Sequence, residues 1–179
     1  MAAYSKGRVA AMLAAVDDAP TADAKGDALE ALARYIFEKV AGVVCSGMNI
    51  LDGPRAHELD LSFWNDQRRS VLFFLDALLV VECKATAAPV GSAEVGWFVR
   101  KLQDRGASHG ILVALNGITG DGDRAAHNEI RSALMRDRIK ILLLTRGEIS
   151  SLKAPNDLAN LLKRKLLRLT LERVVHVDQ

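Results

Sequence analysis

The residues with the clearest chemical potential stand at the end of an apolar run, Leu78-Leu79-Val80-Val81-Glu82-Cys83-Lys84. Such a run is typical of a strand that is buried on both faces. Because side chains alternate along a strand, Glu82 and Lys84 share one face and Cys83 lies on the other. A carboxylate and an ammonium there are costly to desolvate unless they pair with each other or bind an ion. The stretch is therefore a candidate site, and a structural ion pair is the alternative interpretation.

The composition is that of an ordinary globular protein, with 50% hydrophobic and 26% charged residues in a chain of 179. That length suits one domain with a substantial core. The net charge of +2 is too small to argue for nucleic-acid binding by itself. Cys45 and Cys83 lack metal-ligand spacing, which favours a reducing compartment. No apolar run could span a bilayer and no signal-peptide pattern is evident, so we expect a cytoplasmic location.

Two helices are expected ahead of the strands, a short one at 8–17 and a longer one from about 21 to 41. Gly42 is placed to cap the longer helix at its C-terminus. Glu30 borders the apolar stripe of that helix, beside Phe37, so we expect it at the edge of the buried face. A solvated helix carboxylate is the alternative.

Two strand signals precede the apolar run. The first begins at Val43, and turn residues at Gly47 and 52–54 interrupt it. The second, at 57–64, alternates polar and apolar residues like a strand with one covered face, and Asp60 is on its polar side. A turn at 65–70 and an apolar segment at 71–75 follow. Asp76 then marks either a bulge or a break.

After Lys84, helices and strands alternate. We expect a helix at 93–105 with Ser92 as its N-cap, a strand at 109–115, a helix at 123–137, a strand at 140–144 and a last helix at 156–173. This order predicts an α/β fold in three layers, with a central mixed sheet of about five strands between helices. We expect a single domain over residues 1–179, with its core at about 21–150 and a basic amphipathic helix in 151–179.

Other candidate residues carry weaker signals. Asp76 lies too far back on the same extended stretch to share an ion with Glu82. The loop 116–122 lacks the glycine spacing of phosphate-binding motifs, which favours a flexible loop over a phosphate cradle. The basic run 163–165 is interpreted as a solvated helix face, with DNA-backbone contact as the alternative. The histidines show no metal-ligand spacing and are expected at the surface or at strand ends; they are His57, His109, His127 and His176.

The arrangement as a whole resembles the PD-(D/E)xK nuclease superfamily, which has the restriction-endonuclease-like fold. Within that superfamily it resembles Mrr-like restriction endonucleases and archaeal Holliday-junction-resolvase-like nucleases. The resemblance covers about residues 25–150, and Leu59 stands where the motif's name has a proline. The segments that carry it are Lys25–Glu30, Glu58-Leu59-Asp60, Val81–Lys84, Pro89-Val90-Gly91, Gly110–Ala114 and Ile139–Leu144.

The chemistry of phosphodiester cleavage explains why these residue types are needed. Asp60 and Glu82, on neighbouring strands, can hold Mg²⁺ with hard oxygen ligands, and Mn²⁺ could substitute for it. Such a metal acts as a Lewis acid and lowers the pKa of bound water. The resemblance adds the backbone carbonyl of Cys83 as a further ligand and gives Lys84 the role of positioning the attacking water or stabilising developing charge. It also implies that Glu30 touches the metal through water.

We therefore expect a Mg²⁺-dependent endonuclease that cuts DNA. No separate recognition domain is evident, so we expect a homodimer or a partner protein. A non-catalytic nucleic-acid-binding or assembly module on the same fold is the main alternative, although it would not need all of Asp60, Glu82 and Lys84. A small-molecule α/β enzyme that uses the loop 116–122 is a third interpretation, and it would require that loop to bind phosphate.

Overall fold

The computed structural model describes residues 3–51, 58–120 and 126–175. The helices are α1 (Lys6–Asp18), α2 (Ala22–Glu38), α3 (Ser92–Gln103), α4 (Ala126–Asp137), α5 (Arg146–Ser151) and α6 (Pro155–Leu171). The strands are β1 (Val43–Leu51), β2 (Glu58–Asn65), β3 (Leu78–Lys84), β4 (His109–Ala114) and β5 (Lys140–Leu144). None of the helices within the described ranges is both long and apolar enough to cross a bilayer.

The five strands form one mixed sheet in the order β1-β2-β3-β4-β5. Pairing is antiparallel from β1 to β3 and parallel from β3 to β5. The parallel strands are almost wholly buried, because helices cover both faces of that part of the sheet. The α/β fold with a five-stranded mixed sheet between helices is therefore confirmed.

Helix α2 covers the sheet face that carries the apolar side of β2. The ring of Phe37 packs on that of Phe63, with 5.3 Å between centroids. Phe63 pairs with Leu79 of β3, so the alternation of side chains puts Cys83 on this same face. The helix begins as expected, because the hydroxyl of Thr21 accepts a hydrogen bond from the N–H of Ala24.

Helix α3 covers the opposite face, and a glycine lets it approach closely. Gly110 of β4 pairs with Val80 of β3, on the face of Glu82. A Cβ at Gly110 would lie 2.5 Å from Leu102 Cδ1 and 2.7 Å from Phe98 Cζ. Both of those side chains are fully buried and have no room to withdraw. Gly110 thus allows α3 to pack close to the sheet, directly above the polar end of β3.

The ends of two helices differ from the expectation. Gly91, and not Ser92, is the N-cap of α3, and its N–H donates to the Glu94 carboxylate over 3.1 Å. Helix α2 ends at Glu38, before Gly42. Gly42 instead has a φ of +80° in the turn that enters β1, a conformation that glycine adopts without strain.

The largest corrections concern the strands before β3. Strand β1 does not stop at Gly47, because a bulge between Cys45 and Gly47 absorbs one residue and the pairing with β2 continues. The expected turn at 52–54 lies outside the described residues. The apolar segment 71–75 forms turns, and Asp76 is a break. There the side-chain amide of Asn65 donates to the backbone carbonyls of Leu72 and Asp76, so these two carbonyls have hydrogen-bond partners although they lie outside the sheet.

The C-terminal basic helix is also less exposed than expected. Lys165 of α6 is buried and forms an ion pair with the buried Glu148 of α5, so the run 163–165 is not a wholly solvated face. Lys163 lies over the rings of Phe73 and Phe74, at 5.0 and 5.2 Å from their centroids. Helix α5 itself was not anticipated, since six residues are too few to show helical periodicity.

Candidate active site

The candidate site lies where strands β2 and β3 separate. The last paired residues of the two strands are Leu61 and Val81. Asp60 on β2 and Glu82 on β3 are the next residues beyond that pair. Beyond that pair, the Asp60 carboxylate accepts a hydrogen bond from the backbone N–H of Cys83 over 2.7 Å. Two carboxylates from neighbouring strands therefore meet at this end of the sheet, as their positions in the sequence predicted.

The expected pair of charges on β3 is present. Lys84 Nζ lies 2.9 Å from Glu82 Oε1. Glu82 is buried and Lys84 is partly exposed at the strand end. The two side chains share a face, and Cys83 is buried on the opposite face, so the predicted alternation is confirmed.

A second ammonium, which sequence reasoning missed, joins the two carboxylates. Lys101 Nζ, from helix α3, lies 2.8 Å from both carboxylate oxygens of Glu82 and 3.8 Å from Asp60 Oδ1. Its side chain is only 13% exposed. The signal was present in the sequence, because Lys101 borders the apolar stripe of α3, next to Phe98 and Leu102, as Glu30 does on α2.

These neighbours shift the protonation equilibria of the site. Burial and the adjacent Glu82 raise the pKa of Asp60, although the Cys83 N–H and the two ammonium groups act in the opposite direction. Burial lowers the pKa of Lys84, but the Glu82 and Asp60 carboxylates outweigh it and raise that pKa above its ordinary value. Lys84 is therefore a cation at neutral pH, as expected from its neighbours.

Glu30 approaches the site from the other layer, on α2. It is 8% exposed, and its Oε2 has no hydrogen-bond partner among the described residues. Burial, and after it the charge of Asp60, raise the pKa of Glu30 to about 7 against the lowering effect of a hydrogen bond with Asn49. The expectation that Glu30 borders the buried face is confirmed, whereas its contact with a metal through water remains a prediction.

The raised pKa of Glu30 predicts a pH-dependent effect of Glu30→Gln. Ionisation of Glu30 weakens the folded state as the pH rises from 4.5 to about 7. The glutamine variant lacks this penalty, so we expect it to exceed wild type in free energy of unfolding by up to about 3 kcal/mol at pH 8. At pH 4 the difference should nearly vanish. Urea unfolding at both pH values measures this.

The control for this experiment is Glu172→Gln, which neutralises an exposed glutamate at the end of α6. It should change the free energy of unfolding little at either pH. A gain for Glu30→Gln that is equal at pH 4 and pH 8 would contradict the assignment of a raised pKa to Glu30.

Asp76 lies at the opposite end of β3 and takes no part in this cluster. Its carboxylate accepts hydrogen bonds from the backbone N–H groups of Ser108 and His109 at 3.0 and 3.1 Å and from the Ser108 hydroxyl, and it contacts His109 Nδ1 at 2.9 Å. Burial raises its pKa, but these partners outweigh burial and lower it. Asp76 thus joins the starts of β3 and β4, a role that the sequence did not reveal.

Asp76→Ala is expected to lower the free energy of unfolding by about 2 kcal/mol at pH 7, because several donors lose their acceptor. Since the pKa of Asp76 is lowered on folding, its contribution is complete above about pH 4 and is lost as the pH falls through the folded-state value. Urea unfolding at pH 7 and at pH 3 should therefore show a smaller defect at pH 3. The exposed Asp18→Ala variant is the control, and an unchanged defect at pH 3 would contradict this role.

The remaining candidates do not join the site. His109 stands at the start of β4, as expected of a strand-end residue, and His127 lies on α4, while His57 and His176 lie outside the described residues. The loop 116–122, where it is described, is held by a hydrogen bond from the Asn116 side-chain amide to the Thr86 carbonyl over 2.7 Å. Across residues 3–51, 58–120 and 126–175, no group of three or more His, Cys, Asp and Glu side chains could hold a metal.

Comparison with known families gives a match over most of the chain. Residues 22–152, or 131 of the 179, match the restriction endonuclease family model of the Mrr catalytic domain. The match begins with α2 and ends just after α5, so it includes every residue of the candidate site. No curated protein and no solved structure matches the chain.

Proposed function

The chain belongs to the Mrr-like restriction endonuclease family, and on that premise we propose that it is a metal-dependent endonuclease that hydrolyses DNA phosphodiester bonds. One observation carries the proposal. Asp60 and Glu82, from adjacent strands, converge on a single cationic nitrogen of Lys101, and Lys84 flanks them. A buried carboxylate, Glu82, and a partly buried one, Asp60, that already stabilise a cation between them are suited to a divalent ion.

The donor set fits Mg²⁺ or Mn²⁺. Asp60 and Glu82 supply the hard carboxylate oxygens that these ions prefer, and the backbone carbonyl of Cys83 is the further ligand implied by the family pattern. When bound, the ion would supply Lewis-acid stabilisation and a more acidic water. Among the described residues, two carboxylates lie at the cation position, so the substrate phosphate and water would complete the coordination.

The protein's own groups would divide the remaining work. Lys84, a cation at neutral pH, can orient the attacking water or stabilise the negative charge that develops on the phosphate. Glu30, with a pKa of about 7, can hold or release a proton beside Asp60 at neutral pH. The Cys83 N–H fixes the Asp60 carboxylate in place, which keeps one oxygen turned towards the cation position.

We also propose that the protein acts as a homodimer or with a partner protein. Val44, Trp64 and Leu78 are cross-strand neighbours on β1, β2 and β3, and all three are exposed. An exposed apolar row of this kind is typical of interaction surfaces. Light scattering at several concentrations would test this, and a monomer at every concentration that cleaves DNA alone would contradict it.

A non-catalytic module on the same fold is the second candidate. The observation that favours it is that Asp60, Glu82, Lys84 and Lys101 form a closed set of two negative and two positive charges. Such a set could be a structural salt-bridge network with no chemistry. A binding module would retain DNA affinity with no metal-dependent turnover.

The experiment that separates the two candidates is incubation of the protein with linear, circular, branched and single-stranded DNA, each with Mg²⁺, Mn²⁺ or chelator. We expect cleavage of at least one substrate with metal and none with chelator. Binding without cleavage under every metal condition would favour the non-catalytic module. Cleavage that chelator leaves unchanged would contradict the metal-dependent mechanism.

A further inference from the structure

We propose that Lys101 is an internal counter-ion that a divalent metal has to displace, so that the Lys101 ammonium and the metal occupy the Glu82 carboxylate in turn. The inference rests on the proposed function, because it concerns the same pair of carboxylates. It assigns a role to a residue of α3 that lies outside the acid-acid-lysine set of Asp60, Glu82 and Lys84. Lys101 is a positioning residue in this sense and not a ligand.

The contacts of Lys101 place its ammonium where a shared cation would lie. Nζ is equidistant from both oxygens of Glu82, at 2.8 Å, and is 3.8 Å from Asp60 Oδ1. A metal held by both carboxylates needs ligand distances of about 2.0–2.6 Å, so it would fall within the space that Nζ occupies. An ammonium and a dication that compete for the same oxygens also repel each other.

Lys84 differs from Lys101 in a way that makes Lys101 the displaceable cation. Lys84 is bound to one oxygen of Glu82 and stands on β3 itself, beside the carboxylates. Lys101 reaches both carboxylates from another layer, through a flexible four-carbon side chain. A rotation of that side chain removes its contacts with both oxygens of Glu82 without moving the backbone. It leaves Glu82 Oε2 open to a metal, while Lys84 stays paired with Oε1 at the edge of the site.

Helix α3 does not depend on Lys101 for its place on the sheet. Val95, Phe98 and Leu102 are fully buried beneath it, and the absence of a side chain at Gly110 fixes how closely it approaches. Loss of the Lys101 contacts therefore leaves the helix packed. The released ammonium would remain above the site face, where the anionic oxygens of a DNA phosphodiester are the group it can bind.

The test is calorimetric titration of Mn²⁺ into the metal-free protein, for wild type, Lys101→Met and Arg100→Met. Methionine keeps an unbranched, helix-compatible side chain and removes the charge. We expect Lys101→Met to bind Mn²⁺ about tenfold more tightly than wild type, or better, because no ammonium competes. Arg100→Met, which removes an exposed cation next to Trp97 on the same helix, should bind as wild type does.

The outcomes separate this inference from the proposed function. If wild type binds Mn²⁺ and Lys101→Met binds it equally or more weakly, the inference is overturned and the metal site stands. If neither protein binds Mn²⁺, the metal site itself is wrong and the inference falls with it. Binding by Lys101→Met alone would support the inference.

A second measurement uses the wild-type protein, so it does not depend on the folding of a variant. Amine acylation followed by mass spectrometry reports the accessibility of each lysine. Lys101 should react slowly without metal and several-fold faster with saturating Mn²⁺, while the exposed Lys6 reacts equally in both states. Reactivity of Lys101 that Mn²⁺ leaves unchanged would overturn the inference.

Discussion

Glu82→Ala and Lys84→Ala are each expected to reduce DNA cleavage by at least about 10²–10³-fold, while the proteins remain folded and bind DNA. Removal of Glu82 deletes a carboxylate that the proposed metal needs. Removal of Lys84 deletes a cation that lies beside that carboxylate and that would act on the water or the phosphate. Single-turnover cleavage measures the loss, and fluorescence anisotropy with labelled DNA measures binding.

Matched controls for these variants replace the same residue types at exposed positions away from the site, Glu172→Ala and Lys153→Ala. Both should cleave at the wild-type rate. If Glu82→Ala or Lys84→Ala retains a rate within about threefold of its control, the catalytic assignment of that residue is wrong.

The second large effect is on metal-induced stabilisation. Ligand at about 100 times its dissociation constant adds about 2.7 kcal/mol to the free energy of unfolding. In a chain of this length that corresponds to a rise in Tm of roughly 5–10 °C. We expect Mg²⁺ to produce this rise in wild type and to produce almost none in Glu82→Ala, because the variant lacks one of the two carboxylates.

The metal-free Glu82→Ala protein is expected to melt below wild type. Repulsion between Asp60 and Glu82 alone would predict a gain in stability. Glu82, however, lies between the ammonium groups of Lys84 and Lys101, and its removal leaves both beside Asp60. An uncompensated buried charge costs on the order of 3 kcal/mol.

Thermal melting of wild type and Glu82→Ala, each with and without Mg²⁺, measures both effects at once. Glu82→Gln is the matched control, since it keeps the shape of the side chain and removes the charge. An equal rise in Tm with Mg²⁺ for wild type and Glu82→Ala would mean that Glu82 is not a ligand. Glu82 and Lys84 would then be only a structural ion pair.

Much of the fold could be predicted from the sequence where local pattern and burial agree. The strands Leu78–Lys84 and Lys140–Leu144 have the expected bounds because each is an apolar run between turn residues. The segment 71–75 is as apolar but forms turns, and its Leu72 and Leu75 carbonyls accept hydrogen bonds from the side-chain amides of Asn65 and Gln67, outside the segment. Strand β1 continues beyond Gly47 because a bulge in β1 at that point keeps the rest of the strand paired with β2. Those two outcomes depend on contacts that no local pattern contains.

The site divides in the same way. The shared face of Glu82 and Lys84 follows from strand alternation, and the burial of Glu30 follows from helical spacing. The contact of Lys101 with both carboxylates depends on how close α3 lies to the sheet, which Gly110 sets from a different strand. A residue on one layer that completes a site on another is visible only when the layers are packed together.

The measurement that tests the central claim most directly is anomalous diffraction from crystals of the protein with Mn²⁺. The account predicts one strong manganese peak within about 2.0–2.6 Å of carboxylate oxygens from both Asp60 and Glu82. Lys101 Nζ should be withdrawn from Glu82 in the same crystals. A protein that cleaves DNA with Mn²⁺ but shows no manganese at these two carboxylates, with Lys101 still bound to Glu82, would contradict it.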